Sequence, residues 1–239
     1  MKIAVINGTE KIGITFKLKE MFLEQFRGNS EISEFYLPKG CPTFCAGCTT
    51  CFVKGENNCR NSQYARPIRE AIENADLCVF TSPAYVMHTT GAMKSFLDHM
   101  AFRWMPHRPH SAMFSKRAVI ITQCLGAGAK SAAKDIKDSL SWWGVSQIEI
   151  FTASLMSDTV WDRLPQKKQI KITSRVKKLS KRFARINYKK PAHTKFKTKI
   201  KFYMCRMIQK SIHKKQGDTL DYTYWKEQGW LEHKRPWKK

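Results

Sequence analysis

Five short apolar runs, each followed by a loop and a helical period, constrain this chain more than any other feature. The first is KIAVI at residues 2–6, which runs straight into Asn7-Gly8-Thr9. From Thr15 onward, Leu18, Met21, Phe22 and Phe26 recur at the spacing of one helical face, until Gly28-Asn29. Residues 32–37 alternate as a second strand, and 66–74 carry Ile68 and Ile72 on one helical side. DLCVFT at 76–81 is nearly all apolar, as a strand covered on both faces should be, and Ser82-Pro83 ends it. Met93, Phe96, Leu97 and Met100 mark the next helix, and AVIIT at 118–122 is the fourth strand. A helix over 131–143 is closed by Gly144, and 148–152 is the fifth strand. This alternation predicts an α/β chain, with one five-stranded parallel sheet between two helical layers. Such sheets bind ligands beyond the carboxyl ends of their strands. The loops after Ile6, Thr81 and Thr122 are therefore the candidate ligand loops.

The charge is uneven. Residues 1–160 carry 18 basic and 14 acidic side chains, while 161–239 carry 25 and 5. The formal net charge of +24 therefore resides mostly in the C-terminal third. Two basic amphipathic helices are expected there, over 165–186 and 196–212, separated by Lys189-Lys190-Pro191. The last nineteen residues, DYTYWKEQGWLEHKRPWKK, read as aromatic-rich and helix-poor. The expected division is a ligand-binding domain over 1–158 and a basic helical extension over 159–239. The extension's apolar positions, such as Ile170, Val176, Leu179 and Phe183, need a partner. Its own core or a second subunit is the leading expectation. Peripheral contact with an anionic membrane, aided by Trp225, Trp230 and Trp237, is the next. Nucleic acid is disfavoured, because no DNA-reading signature is present. No stretch approaches the roughly 20 apolar residues of a membrane span, so the expected compartment is the cytoplasm.

Residues 41–59, CPTFCAGCTTCFVKGENNC, hold five of the eight cysteines. In the cytoplasm such a cluster points to metal or redox chemistry rather than structural disulfides. Two successive two-residue gaps let Cys45, Cys48 and Cys51 converge on one small centre, and Cys59 closes it. Cys41 is left over. An iron–sulfur cluster, a four-thiolate zinc and a metal-free redox-active loop all remain open. Cys78 lies in a buried strand, Cys124 in a ligand loop, and Cys205 looks incidental.

The first ligand loop is NGTEKIGIT, residues 7–15. Gly8 and Gly13 permit close backbone approach, Thr9 and Thr15 supply hydroxyls, and the start of a helix favours a phosphate. An ordinary turn with Thr15 as the helix cap would read the same way. The second loop, SPAYVMHTTGAMKSFLDH at 82–99, offers flat or polarizable groups at Tyr85, Met87 and His88. The third, TQCLGAGAKS at 122–131, offers backbone amides around Gly126 and Gly128. Together they suit a planar ring with a phosphate tail.

In this order and spacing, across residues 1–155, these segments resemble the flavodoxin-like NAD(P)H-dependent FMN reductases. Within them the CAGCTTC run is similar to the cysteine-bearing branch that includes iron–sulfur flavoproteins. The pattern SPAY…G..K.FLDH is its most specific part. The resemblance implies a flavodoxin-like fold, bound FMN, NAD(P)H as electron donor, and a homodimer or tetramer. It places the phosphate on Gly8, Thr9, Lys11, Gly13 and Thr15. It lays the flavin against Pro83, Ala84, Tyr85, Val86, Met87 and His88, and against Thr122, Gln123, Gly126 and Gly128. It also makes Cys45, Cys48, Cys51 and Cys59 the counterparts of cluster ligands, although the last gap is long. Two positions depart from the usual GSPR.GNT loop, namely Glu10 and Ile14. A carboxylate beside a phosphate is unfavourable unless it turns to solvent or pairs with Lys11. The implied activity is hydride transfer from NAD(P)H to a quinone, a flavin or another small acceptor. A flavodoxin-like electron carrier and a metal-stabilised nucleic-acid-binding protein are the rival expectations.

Overall fold

The computed structural model describes residues 1–156 and 160–238. Its strands are β1 Lys2–Asn7, β2 Glu31–Tyr36, β3 Leu77–Pro83, β4 Arg117–Cys124 and β5 Gln147–Ser154. They pair in parallel throughout, in the order β2-β1-β3-β4-β5. The helices are α1 Ile14–Leu23, α2 Thr50–Val53, α3 Ser62–Asn74, α4 Gly91–His99, α5 Ala129–Trp142, α6 Gln166–Ala184, α7 Phe196–Gln216 and α8 Leu220–Glu227. The chain winds outward from β1 in both directions, so strand order reverses between β1 and β3. At such a reversal a parallel sheet leaves a crevice beyond the carboxyl ends of its strands.

Pleating divides the strand side chains between two cores. Ala4, Ile6, Cys78, Phe80 and Ile120 face α3, α4 and α5, where Ile68, Ile72, Phe96, Ile136 and Leu140 cover them. Ile3, Val5, Val79, Val119 and Ile121 face the other way, onto Leu18 and Phe22 of α1. The same core takes in Ile172, Val176 and Phe183 of α6. The expected three-layer α/β sandwich is therefore found, with one change of assignment. The boundary expected at residue 158 lies outside the described residues. Beyond it, α6 belongs physically to the second helical layer. Ser180 Oγ donates to Phe22 O at 2.5 Å, and Arg182 pairs with Glu149 of β5 at 2.8 Å. Arg175 of α6 also lies over the Phe151 ring of β5, 4.9 Å from its centroid, and burying a side chain of that size is worth about 2 kcal/mol.

The expectation of a helix-poor terminus is corrected by α8. Thr219 caps it, its hydroxyl accepting the Tyr222 N–H at 3.2 Å. Aromatic packing then sets its position. Trp225 stacks on Phe202 of α7 at 4.9 Å, and Trp230 and Trp237 meet the same ring edge-on at 5.7 and 5.0 Å. This cluster seats on Met105 and Phe114 of the α4–β4 connection. Tyr224 OH donates to Pro109 O at 2.7 Å and Trp225 Nε1 to His107 O at 2.6 Å. Trp225 and Trp230, read as membrane-facing candidates, are buried inside the molecule. Cys205 is not incidental either: it sits fully buried in this cluster, and burial pushes its thiol up to about 12.

Candidate active site

Asn7, the last residue of β1, ties its neighbours together. Its Nδ2 donates to Phe35 O at 3.2 Å, and its Oδ1 accepts the Thr81 hydroxyl at 3.0 Å. Gly8 N donates to Thr81 O at 2.7 Å, and Gly8 O accepts the Thr90 hydroxyl at 2.6 Å. A Cβ on Gly8 would lie 2.9 Å from Thr81 O, so only glycine lets the first loop seat on the second. The cap of α1 is Gly13, not Thr15; Thr15 is buried in the first turn. The N–H groups of Ile14, Thr15 and Phe16 have no acceptor among the described residues. Together with the helix dipole they form an anion-binding end. Thr9 Oγ1 accepts the Lys11 N–H at 3.1 Å, and the Lys11 side chain is exposed. Glu10 is exposed to solvent, the first of the two expected escapes, and does not pair with Lys11 among the described residues. Its carboxylate accepts the Lys39 backbone N–H at 2.8 Å, which draws it toward the segment after β2. Ile14 turns inward to pack in the α1 core.

The second loop contains the most strained backbone of the site. Tyr85 and His88 exchange N–H···O bonds of 2.9 and 3.0 Å around Val86 and Met87. Val86 and Met87 have φ of 47° and 71°, left-handed values that a β-branched residue rarely adopts. Such backbone costs about 1–3 kcal/mol and persists where surrounding contacts dictate it. The third loop supplies those contacts. Gly128, with φ of 100°, packs directly on Met87, and Ala84 N donates to Gln123 O at 2.7 Å. From α5, the Asp135 carboxylate lies 3.1 Å from His88 Nδ1 and accepts the Thr89 N–H at 3.0 Å. Ser82 Oγ accepts from both the Thr89 hydroxyl and Thr90 N, at 2.9 and 3.2 Å.

All three loops thus meet at the crevice. Gly8, Pro83 and Thr122 are buried in its floor, and Thr122 Oγ1 donates to Ala129 O at 2.8 Å. Ala84, Gln123 and Gly128 are half-buried, while Gly126 faces open space. Tyr85, Val86, Met87 and His88 stand exposed, with Ile12 and Leu125 also exposed in the neighbouring loops. An apolar rim beside an anion-binding helix end fits a ring with a phosphate tail. Sequence reasoning missed Asn7, Ser82, Thr90 and Asp135. Thr90 before Gly91 carries a cap signal, and its hydroxyl does accept the Met93 N–H at 3.1 Å. Nothing local marks Asp135.

The cysteine segment follows β2. Cys45, Cys48, Cys51 and Cys59 line one cavity of about 310 Å³, together with Phe52 and Phe102. The thiols sense one another: burial first, then Cys59 and Cys45, pushes Cys51 up. Cys41 is buried outside that set, its thiol pushed up to about 11 by burial and then by Cys59. Cys48 is exposed and its thiol lies below the usual value, mainly through the Thr50 hydroxyl 3.4 Å away. No three of these side chains converge as a metal-binding group among the described residues. An ion-pair cluster holds the segment in place. Arg108, almost fully buried, donates to Cys51 O, to Glu56 at 3.2 Å and to Asp221 of α8. Glu56 also faces Arg103 at 3.3 Å and Arg69 at 3.7 Å. Burial opposes its ionisation, but its own backbone N–H, Arg103 and Arg108 outweigh that and hold its carboxyl below the usual range. His99 Nε2 lies 2.8 Å from Thr43 O, and its buried Nδ1 has no partner among the described residues.

Residues 1–160 match the family described as NADPH-dependent FMN reductase. The chain belongs to that family. The match covers the sheet and all three crevice loops and stops before α6. The iron-sulfur flavoprotein of Archaeoglobus fulgidus is 23% identical over 145 residues, covering 60% of this chain and 63% of that protein. Less than two thirds of that relative is therefore spanned. Among solved structures, the FMN-dependent NADH-azoreductase of Bacillus anthracis str. Ames Ancestor in complex with FMN superposes with a TM-score of 0.60 at 14% identity. That superposition covers 77% of this chain and 100% of the azoreductase. FerB, a flavoenzyme NAD(P)H:(acceptor) oxidoreductase from Paracoccus denitrificans, has a TM-score of 0.51 at 16% identity, covering 77% and 94%. At these identities the likeness establishes a shared flavodoxin-like fold. Beyond the residues that the family match reaches, α6 of this FMN reductase family member completes the second helical layer, and Asp221 of α8 holds Arg108 against the cysteine segment.

Proposed function

We propose that this protein is an FMN-dependent oxidoreductase. It takes hydride from NAD(P)H and delivers electrons to a quinone, a flavin or another small acceptor. One observation carries the proposal: the strained Val86-Met87 turn is held on Gly128 beside the open N-terminus of α1. Bound FMN would supply the redox chemistry. The chain's own residues then bind and orient. The N–H groups of Ile14 to Phe16, with Gly8, Thr9, Lys11, Gly13 and Thr15, receive the phosphate. Tyr85, Val86, Met87 and His88 wall the ring, and the backbone of Pro83, Ala84, Gln123, Gly126 and Gly128 edges it. Thr122 holds the third loop from beneath. Flavin binding is assigned to residues 1–158, with 159–239 in support. Val86 is 95% exposed and Met87 53%, which favours a homo-oligomer in which a second subunit covers the rim. No described helix is long and apolar enough to cross a membrane, and a cytoplasmic setting is part of the proposal.

We further assign an iron–sulfur cluster to Cys45, Cys48, Cys51 and Cys59, supported by their common cavity. The donor set suits a cluster. The thiols must close on the cavity to hold it.

Protein purified without oxygen tests both parts. Flavin absorption that bleaches within seconds of mixing with NADPH is expected. A flavin that stays oxidised refutes the reductase proposal, and a preparation that takes up no FMN refutes the site. A brown shoulder lost on acid, with acid-labile sulfide, supports the cluster. Flavin bands alone, without iron, refute it.

A further inference from the structure

Helix α7 has two opposite faces. Thr198, Phe202, Cys205 and Gln209 are buried against the core. On the far side Phe196, Ile200, Met204 and Met207 follow one another at helical spacing, 75%, 52%, 39% and 66% exposed. At 1.5 Å per residue they form a strip roughly 17 Å long. By helical angle Lys197 and Lys215 border one side, with Lys199 and Lys210 on the other. The helix contains no acidic residue. Folding has thus covered Phe202, Trp225 and Trp230 and left a second, outward apolar strip between lysine rows.

Each candidate occupant must satisfy both the strip and the lysines. A second copy meeting this one through a two-fold axis would set lysine rows against lysine rows. A nucleic acid neutralises the lysines but gives Phe196 and Met207 nothing apolar to bury in. An anionic bilayer surface does both: the strip enters the headgroup–acyl boundary and the lysines stay at the phosphate level. We propose that α7 is an interfacial helix that docks this protein on an anionic lipid surface. The contact differs from the one the tryptophans suggested in the sequence, since Trp225 and Trp230 are enclosed. It is also independent of the redox proposal, because no flavin-loop residue takes part.

The test is co-sedimentation of the full chain with vesicles of phosphatidylcholine, alone and mixed with phosphatidylserine. Binding to the mixed vesicles only, weakened by salt, is expected. The double substitution Ile200→Glu with Met207→Glu, at exposed positions, should weaken it about tenfold or more. Its thermal melt and flavin content should match the parent; if they do not, Ile200→Ser with Met207→Ser repeats the comparison. Equal binding to both vesicle types, or none to either, overturns the proposal. Binding unchanged in the folded variant does the same. A dimer split by the variant, without vesicle binding, would assign the strip to a second copy. Retention on duplex DNA without vesicle binding would assign it to nucleic acid.

Discussion

Gly128 and Met87 are packed so closely that a Cβ on Gly128 would lie 2.8 Å from the Met87 Cα. Two left-handed segments, Val86-Met87 and Gly128, thereby hold each other, one on each side of the crevice. Gly128→Ala should cost at least about 1 kcal/mol, because alanine resists the positive φ and its methyl forces Met87 away. FMN affinity should fall about tenfold, or 1.4 kcal/mol, as followed by quenching of flavin fluorescence. Gly217→Ala, at another positive-φ glycine that ends α7 outside the three loops, is the matched control and should bind FMN normally. Equal affinity for both variants would remove the turn from the site.

Asp135 anchors the same turn from α5. Asp135→Ala would strand the buried Thr89 N–H and free the His88 ring, at a cost of about 1–3 kcal/mol. Flavin affinity should drop, and Asp135→Asn, which keeps an acceptor, should recover part of it. Unchanged flavin titrations for Asp135→Ala would show that the anchor does not organise the site.

The thiols should separate by reactivity. Cys48 is exposed with a thiol below the usual value, so more of it is thiolate near neutral pH. Cys41 and Cys78 are pushed up to about 11 and Cys205 to about 12, all by burial in the first place. In chelator-treated, folded protein, iodoacetamide should modify Cys48 early and spare those three. Mass spectrometry of timed digests reads the order, and early labelling of Cys41 would contradict the packing described.

Glu56 links the cysteine segment to pH. Its folded-state pKa is lowered, so its stabilising contribution is full above the ordinary carboxylate range and drains away as pH falls through the folded value. Glu56→Gln should cost about 2 kcal/mol at neutral pH, because Arg103 and Arg108 lose their shared carboxylate. The difference from the parent should shrink in acid. Urea unfolding at neutral pH and near pH 4 measures it, and a constant difference would remove Glu56 as the source.

Phe183 tests the place of α6. It is buried against Phe22 with ring centroids 6.1 Å apart, so Phe183→Ala should cost about 3 kcal/mol in urea unfolding. Ile170→Ala, at an exposed position of the same helix, should stay within about 0.5 kcal/mol. Equal costs would mean that α6 does not belong to the core.

The five strands, the parallel pairing and the three candidate loops were legible in the sequence, because buried strands and helix faces leave periodic apolar patterns. The glycines at 8 and 128 were legible as turn residues, and geometry now supplies the reason for each. The four cysteines were readable as a set from spacing alone, and they do line one cavity. The basic tail packs on its own core, as the leading expectation had it, but which of its side chains do so was not legible. A tryptophan at 225 or 230 has the same local signature whether it meets lipid or Phe202.

Local pattern therefore determined the element order, the sheet and the loops that form the site, since each depends on residues a few positions apart. Tertiary structure alone decided what closes and supports that site. Asp135 reaches His88 across 47 residues of chain, and Asp221 reaches Arg108 across 113. Contacts between residues so distant in the chain follow no sequence period, because only the packed layers bring them together.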